Sequence, residues 1–211
     1  MSFKPENSQK DWVVVGSGPS APTWLPRVLE QYPDVLIACV NGSHGVLPKG
    51  RLPHTYAVFE GAAVGQYGAT MDAMKQAGVR TFARRIVTKL GHKPEIEIDV
   101  GWGSEHGYDK ERTTERLGGA MVSGGVELLH AVAHKFRPRR IHVVGFDGYE
   151  PNRLHADSAG DCPARDAKWC DTANASMSEH IAGITQAYST VKFLFYGPSI
   201  HKRGWVGEFV Q

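Results

Sequence analysis

The residues best suited to chemistry are a histidine and two carboxylates that follow apolar runs of the chain. Glu60 follows Tyr56–Phe59, Asp147 comes after Ile141–Val144, and His155 lies further along in the segment NRLHAD. A histidine can take the proton from an acceptor hydroxyl during group transfer. Carboxylates can instead hold Mg²⁺ against the phosphates of a nucleotide during diphosphate transfer. His155, Asp147 and Glu60 are therefore the catalytic candidates, and the residues alone leave both reactions open.

A glycine-containing turn, GSGPS at residues 16–20, follows the apolar run Trp12–Val15. The candidate nucleotide-binding residues of this turn are Gly16, Ser17, Gly18, Pro19 and Ser20. Glycine has no Cβ atom, so the backbone can turn tightly and approach a ligand, and the N–H groups that open the next helix attract phosphate. A plain strand-to-helix turn is the alternative. If the turn binds a nucleotide, we expect Gly18→Val to abolish binding while the protein stays folded.

Later residues bear on which nucleotide the turn could serve. With Ala21 the turn fits the G-x-G-x-x-A pattern of flavin and nicotinamide sites, which requires an acidic residue at the end of the second strand. Here that strand is followed by Asn41 and Gly42, so a dinucleotide is disfavoured. The Asn41 amide can still bind a nucleotide by donating and accepting hydrogen bonds. Ser123 and Gly124 open a predicted helix and offer further donors.

Four short motifs occur together in an order that resembles a known family. The chain contains GSGPS at 16–20, VNG at 40–42, VSGG at 122–125 and GFDGY at 145–149. In order and spacing they resemble the motifs of bacterial sialyltransferases that decorate lipo-oligosaccharide. The scheme is also similar to that of a related class, which includes archaeal 6-hydroxymethylpterin diphosphokinases and flagellin-glycosylation proteins. The resemblance covers roughly residues 11–41 and 119–196.

The resemblance implies a site for a CMP-sugar donor and a glycan or small-molecule acceptor. Asp147 would organise the loop of which it is part. The implied donor-binding residues are Gly16, Ser17 and Gly18 for phosphate or ribose, Asn41 and Ser123–Gly124 for cytidine, and Tyr149 for phosphate. Glycosyl transfer of this kind implies no metal cofactor, whereas the diphosphokinase alternative implies Mg²⁺.

The chain departs from the family pattern at three places. Ser17 stands where the sialyltransferases have Asn, and Glu60-Gly61 stand where they have an Asn-Pro pair. The catalytic His that precedes their last helix has no counterpart in DTANASMSEH, residues 171–180. His155 and His180 are the nearest histidines, neither at the matching place, and His155 is the candidate base. We therefore predict a nucleotide-dependent transferase, glycosyltransferase-like with a CMP-type donor. The alternatives are a Mg²⁺-dependent diphosphokinase acting on a pterin-like hydroxymethyl group and a non-catalytic nucleotide-binding module.

The elements that must position these residues alternate between apolar runs and helical segments. The predicted strands are Trp12–Val15, Val35–Val40, Tyr56–Phe59, Val79–Ala83, Ile141–Val144 and Val191–Tyr196, with a further edge strand at Glu95–Val100. The predicted helices are Pro22–Gln31, Ala63–Ala77, Gly124–Phe136 and Ser176–Tyr188. This alternation predicts an α/β fold, a single domain with a largely parallel Rossmann-like sheet and helices on both faces. The segments 91–117 and 151–173 are predicted loops that could act as lids.

The composition of the 211-residue chain fits a globular protein without a strong charge bias. The formal net charge is +2, which does not favour binding to nucleic acid or to an anionic membrane. No apolar run reaches the length of a membrane span, and three cysteines suggest a reducing, cytoplasmic setting. Cys162 and Cys170 lack the spacing of a zinc site. Their role and the oligomeric state stay open.

Overall fold

The computed structural model describes residues 10–59, 61–98, 107–116, 123–151, 166–197 and 205–210. Its strands form one sheet in the order β5-β4-β3-β2-β1-β6-β7-β8. The strands are β1 Trp12–Val15, β2 Leu36–Val40, β3 Thr55–Val58, β4 Arg80–Arg84, β5 Ile96–Ile98, β6 Arg140–Val144, β7 Lys192–Tyr196 and β8 Glu208–Val210. All seven neighbouring pairs are parallel.

Helices cover both faces of this sheet, which explains why the central strands are continuous apolar runs. The helices are α1 Ala21–Gln31, α2 Gly61–Gln76, α3 Arg85–Lys89, α4 Lys110–Arg116, α5 Gly124–Phe136 and α6 Ala167–Ala187. Helices α5 and α6 pack on one face, with Trp12 and Val14 of β1. Helices α1 and α2 pack on the other, with Val13 and Val15. The alternation along β1 thus divides the core into two layers.

The order of the strands places a crevice beside β1. From β1 the chain moves outward through β2 to β5, and β6 then returns to the opposite side of β1. In open α/β sheets ligands bind at such a reversal, outside the carboxyl ends of the strands. The turns that follow β1 and β6 therefore border the crevice.

The α/β prediction is confirmed, and helix α5 has the predicted bounds. The predicted loops contain more regular structure than expected. Helix α4 lies inside 91–117, and α6 begins at Ala167 rather than Ser176. The first turns of α6 read AKWCDTANA and have no long apolar stripe, but the Asp166 side chain caps them by accepting from Trp169 N at 2.7 Å. Strand β8 was not predicted, because it is short and largely exposed.

Within the described ranges, none of the helices combines the length and hydrophobicity needed to cross a membrane.

Candidate functional site

The turns after β1 and β6 are joined directly through their backbones. Gly16 N donates to Val144 O at 2.8 Å, and Gly18 N donates to Gly145 O at 2.9 Å. The parallel pairing of the two strands is thereby continued past their ends. The glycine turn is consequently fixed against the protein itself before any ligand is considered.

This close approach explains both glycines of the β1 turn. A Cβ atom on Gly16 would lie 2.5 Å from Gly145 O, and one on Gly18 would lie 2.5 Å from the same oxygen and 2.6 Å from Asp147 Oδ2. The neighbours are backbone atoms and a fixed carboxylate, so they cannot swing aside. We therefore expect Gly18→Val to destabilise the fold itself, so that a loss of binding in this variant would not by itself identify a ligand site. These glycines are required by the packing of two turns, whatever they also do for a ligand.

Asp147 connects the β6 turn to the beginning of helix α1. Its two carboxylate oxygens accept from Ser20, one from the backbone N–H at 2.7 Å and the other from the hydroxyl at 2.5 Å. Asp147 is only 8% exposed. A carboxylate at this place is favoured by the positive end of the helix dipole. The contacts agree with the loop-organising role that the family resemblance implies for Asp147.

The N-terminus of α1 has no donors left over for a phosphate. Ala21 N donates to Gly18 O, Thr23 N and Trp24 N donate to Ser20 O, and Pro22 has no N–H. The expectation that this helix end offers unpaired N–H groups to a ligand is therefore wrong, because Asp147 and the local carbonyls already accept from it. Ser17 is the member of the turn whose N–H and hydroxyl have no partner among the described residues, and it is half-buried.

Asn41 follows β2 in the left-handed conformation, with φ of 49°. Asparagine tolerates this region better than most residues. Its carbonyl accepts from the Tyr56 hydroxyl at 2.8 Å and lies 2.9 Å from His44 Nδ1. The side-chain Oδ1, in contrast, is buried without a hydrogen-bond partner in the described part of the chain. The backbone of Asn41 is thus anchored, while its amide oxygen is left for something else.

The N-terminus of α5 lies beside the Asn41 amide and differs from that of α1. A Cβ atom on Gly124 would sit 3.4 Å from Asn41 Nδ2. Ser123 is the N-cap but makes no side-chain cap bond, and the first helical bond runs from Glu127 N to Ser123 O. The N–H groups of residues 124–126 have no acceptor within the described ranges. Unlike the start of α1, this helix end therefore has donors that can bind an anion or an acceptor group.

Two cations flank the carboxylate in the first turn of α5. Glu127 is approached at 2.6 Å by both Lys110 Nζ and Arg84 Nη2, and its side chain is 8% exposed. Cys39 of β2 precedes Asn41, but its side chain packs on the opposite face of the sheet from α5, and burial raises the pKa of its thiol to about 12. Cys39 is therefore a neutral thiol and not a nucleophile.

Tyr149 is held by a residue that the sequence did not single out. Its backbone N–H donates to Asn174 Oδ1 at 2.7 Å, and its carbonyl accepts from Asn174 Nδ2 at 2.8 Å. The Tyr149 ring also meets Trp169 edge-on, with ring centroids 5.1 Å apart. Asn174 is 4% exposed, on helix α6. No local pattern could have indicated Asn174, because its partner is 25 residues away in the sequence.

His44 is a second residue at this edge that sequence reasoning missed. Since a carbonyl can only accept, the 2.9 Å contact with Asn41 O makes His44 Nδ1 the protonated nitrogen of the neutral ring. Its Nε2 then carries the lone pair. The ring also meets Tyr56 edge-on at 5.5 Å. The contacts with Asn41 O and Tyr56 thus fix the orientation of the His44 ring after β2, although no motif around His44 indicates this.

The structure therefore brings together a subset of the predicted site residues. These are Gly16, Ser17, Gly18, Pro19, Ser20, Asn41, Gly42, Ser123, Gly124, Asp147 and Tyr149, all at the carboxyl edge of the sheet. Glu60 and His155, the other catalytic candidates, lie outside the described residues, as does Cys162. Cys170 is a buried free thiol on α6. The catalytic assignments of Asp147, Glu60 and His155 stay predictions.

Comparison with known proteins identifies relatives by structure only. No family model matches the sequence, and no curated protein matches it. The structure is similar to that of a variant of the sialyltransferase CST-II in complex with CMP, with a TM-score of 0.58, 14% identity, and coverage of 88% of this chain and 81% of that one. It is also similar to monofunctional α-2,3-sialyltransferase Cst-I from Campylobacter jejuni, with a TM-score of 0.55, 14% identity, and coverage of 89% and 75%. The chain thus has a sialyltransferase-like α/β fold.

Proposed function

We propose that this protein is a nucleotide-dependent transferase, glycosyltransferase-like, that uses a CMP-type sugar donor. The observation that carries the proposal is the pairing of a buried, unpartnered Asn41 amide oxygen with the open N-terminus of α5. Both lie at the carboxyl edge of the sheet, where α/β folds bind ligands. The structural similarity to a sialyltransferase in complex with CMP supports the same choice of nucleotide.

The chemistry of these groups suits a cytidine. A side-chain amide can accept a hydrogen bond from an exocyclic amine or hydroxyl and donate one in return. The N–H groups of Ser123 and Gly124 and the helix dipole add donors on the other side of the ligand. The donor phosphate would contact Ser17 and Tyr149, since the start of α1 is already occupied by Asp147.

Transfer requires stabilisation of the leaving phosphate and a base for the acceptor hydroxyl. A tyrosine hydroxyl such as that of Tyr149 can stabilise the phosphate without a metal ion. His155 is the proposed base, with Glu60, which follows β3 in the sequence, as a further catalytic candidate. Asp147 would contribute indirectly, by holding the β6 turn against Ser20.

The proposal is tested by replacing Asn41 with glycine. Glycine adopts the left-handed conformation freely, so Asn41→Gly removes the amide and keeps the backbone. Removal of one partner of a buried hydrogen bond costs about 1–3 kcal/mol, which corresponds to a loss of CMP affinity of roughly 5- to 150-fold. Calorimetric titration with CMP in the absence of Mg²⁺ measures this loss.

Arg137→Gly is the matched control. Arg137 also has a positive φ, 42°, and forms the C-cap of α5, at the end of that helix remote from Asn41. Its replacement by glycine therefore relieves the same left-handed backbone away from the site. We expect native CMP affinity in this variant. Equal affinity in Asn41→Gly and the native protein would contradict the proposed site. Binding of ATP only with Mg²⁺ would favour the diphosphokinase alternative, and CMP binding without turnover of any CMP-sugar would favour a binding module.

A further inference from the structure

We propose that Asn174 is a positioning residue of the nucleotide site, acting through the backbone of Tyr149. The proposal rests on the proposed function, because the site it serves is the CMP site described above. It assigns a role to a residue of helix α6 whose side chain makes its hydrogen bonds in the described structure to the backbone of Tyr149.

The geometry is that of a two-point clamp. A single side-chain amide both accepts from and donates to one residue, Tyr149, at 2.7 and 2.8 Å. Both bonds form at a side chain that is 4% exposed, where water cannot easily replace them. Such paired bonds hold both peptide units that flank the Tyr149 Cα, one through its N–H and the other through its carbonyl. Only an asparagine or glutamine side chain presents a donor and an acceptor side by side in this manner.

The clamp matters because the β6 turn is held at two places. At its beginning Asp147 is bound to Ser20, and two residues later Tyr149 is bound to Asn174. Between them lies Gly148, with φ of 95°, a position that is free to rotate unless its neighbours are fixed. Release of Tyr149 would therefore loosen Asp147 as well. The effect would reach the β1 turn and the donor phosphate site.

The test compares Asn174→Ala and Asn174→Asp with Thr185→Ala. Aspartate keeps the acceptor for Tyr149 N–H but sets a carboxylate oxygen against the Tyr149 carbonyl. Thr185 is a fully buried polar residue of the same helix. It donates to Ile181 O at 3.0 Å and accepts from Val206 N at 3.0 Å, so its loss destabilises α6 at a different place.

Two readouts separate positioning from general stability. CMP affinity, measured at a temperature where every variant is folded, is expected to fall tenfold or more in both Asn174 variants and less than twofold in Thr185→Ala. Hydrogen exchange at the Ser20 amide, whose acceptor is Asp147, is expected to accelerate tenfold or more in both Asn174 variants and to stay unchanged in Thr185→Ala.

The outcomes are distinguishable from failure of the proposed function. If the native protein does not bind CMP, the proposed function falls and the role of Asn174 falls with it. If the native protein binds CMP and Asn174→Ala binds equally well, only the role of Asn174 is overturned. An equal loss of affinity in Thr185→Ala would likewise overturn it, because destabilisation of α6 would then suffice.

Discussion

Replacement of Gly18 by alanine is the perturbation whose effect follows most directly from the contact between the β1 and β6 turns. The new Cβ atom would lie 2.5 Å from Gly145 O, whereas real Cβ contacts essentially never fall below 3.0 Å. The two turns must therefore separate by at least 0.5 Å, the difference between these distances. This movement acts on Gly18 N–Gly145 O, a bond of 2.9 Å, and on the contact between Asp147 and Ser20.

The expected cost combines two effects. Overpacking of a well-packed interior typically costs about 1–3 kcal/mol, and a weakened backbone hydrogen bond adds about 1 kcal/mol. A loss of roughly 2–4 kcal/mol in the free energy of unfolding corresponds, for a chain of this size, to a fall in Tm of roughly 5–15 °C. Valine at the same position would cost more, because its branched side chain is larger.

Urea unfolding followed by circular dichroism measures this change, with Gly65→Ala as the control. Gly65 lies in the interior of α2, and a Cβ atom there meets nothing within 4 Å. Alanine at that position should stabilise the helix by about 0.5–1 kcal/mol, because it reduces the backbone entropy of the unfolded chain. The two substitutions are chemically identical and are predicted to have opposite signs.

If the unfolding free energy of Gly18→Ala stayed within about 0.5 kcal/mol of the native value, the contact with Gly145 O would not be what requires glycine at this position. The sign for Gly65→Ala serves as a check on the assay itself.

Two further predictions concern ionisable groups. Burial lowers the pKa of His142 from 6.5 to about 4, so the unfolded chain binds a proton that the native state does not. The contribution of neutral His142 to the free energy of unfolding is therefore present above pH 6.5 and falls by about 3 kcal/mol as the pH drops to 4. Urea unfolding across this pH range should show the fall. In His142→Leu this part of the pH dependence should disappear. Glu127→Gln should leave Lys110 and Arg84 facing each other without a carboxylate between them, which should lower the free energy of unfolding by about 1.5–3 kcal/mol. Urea unfolding should then show a lower midpoint. An unchanged midpoint would show that solvent screens both cations.

The sheet was predictable because its strands are buried on both faces. Such strands appear as short continuous apolar runs, and helix α5 combines an apolar stripe with a serine N-cap and a glycine opening. The edge strand β8 lacks this signal, since Glu208 and Phe209 are exposed. Helix α4 lacks it too, because its residues KERTTER are polar; the helix is placed by packing against α6 and by the ion pair of Lys110 with Glu127 of α5.

The position of the site could be predicted from the sequence, but not which of its backbone N–H groups are already bound to other parts of the protein. A strand followed by glycines correctly indicated a turn at the carboxyl edge of the sheet. The sequence could not indicate that Gly145 and Asp147 would fill the space beside Gly16 and Gly18, because these residues are more than 120 positions apart and meet only through the pairing of β1 with β6. The role of Asn174 is non-local for the same reason.

We propose that CMP binds where the Asn41 amide meets the start of α5, and not at the start of α1. Titration of ¹⁵N-labelled protein with CMP in the absence of Mg²⁺, followed by amide chemical shifts, locates the bound nucleotide. We expect the largest shifts at Ser17, Asn41, Gly124 and Gly125, with Ala21 little affected. Shifts confined to the first turn of α1, or no saturable shifts at all, would contradict this placement.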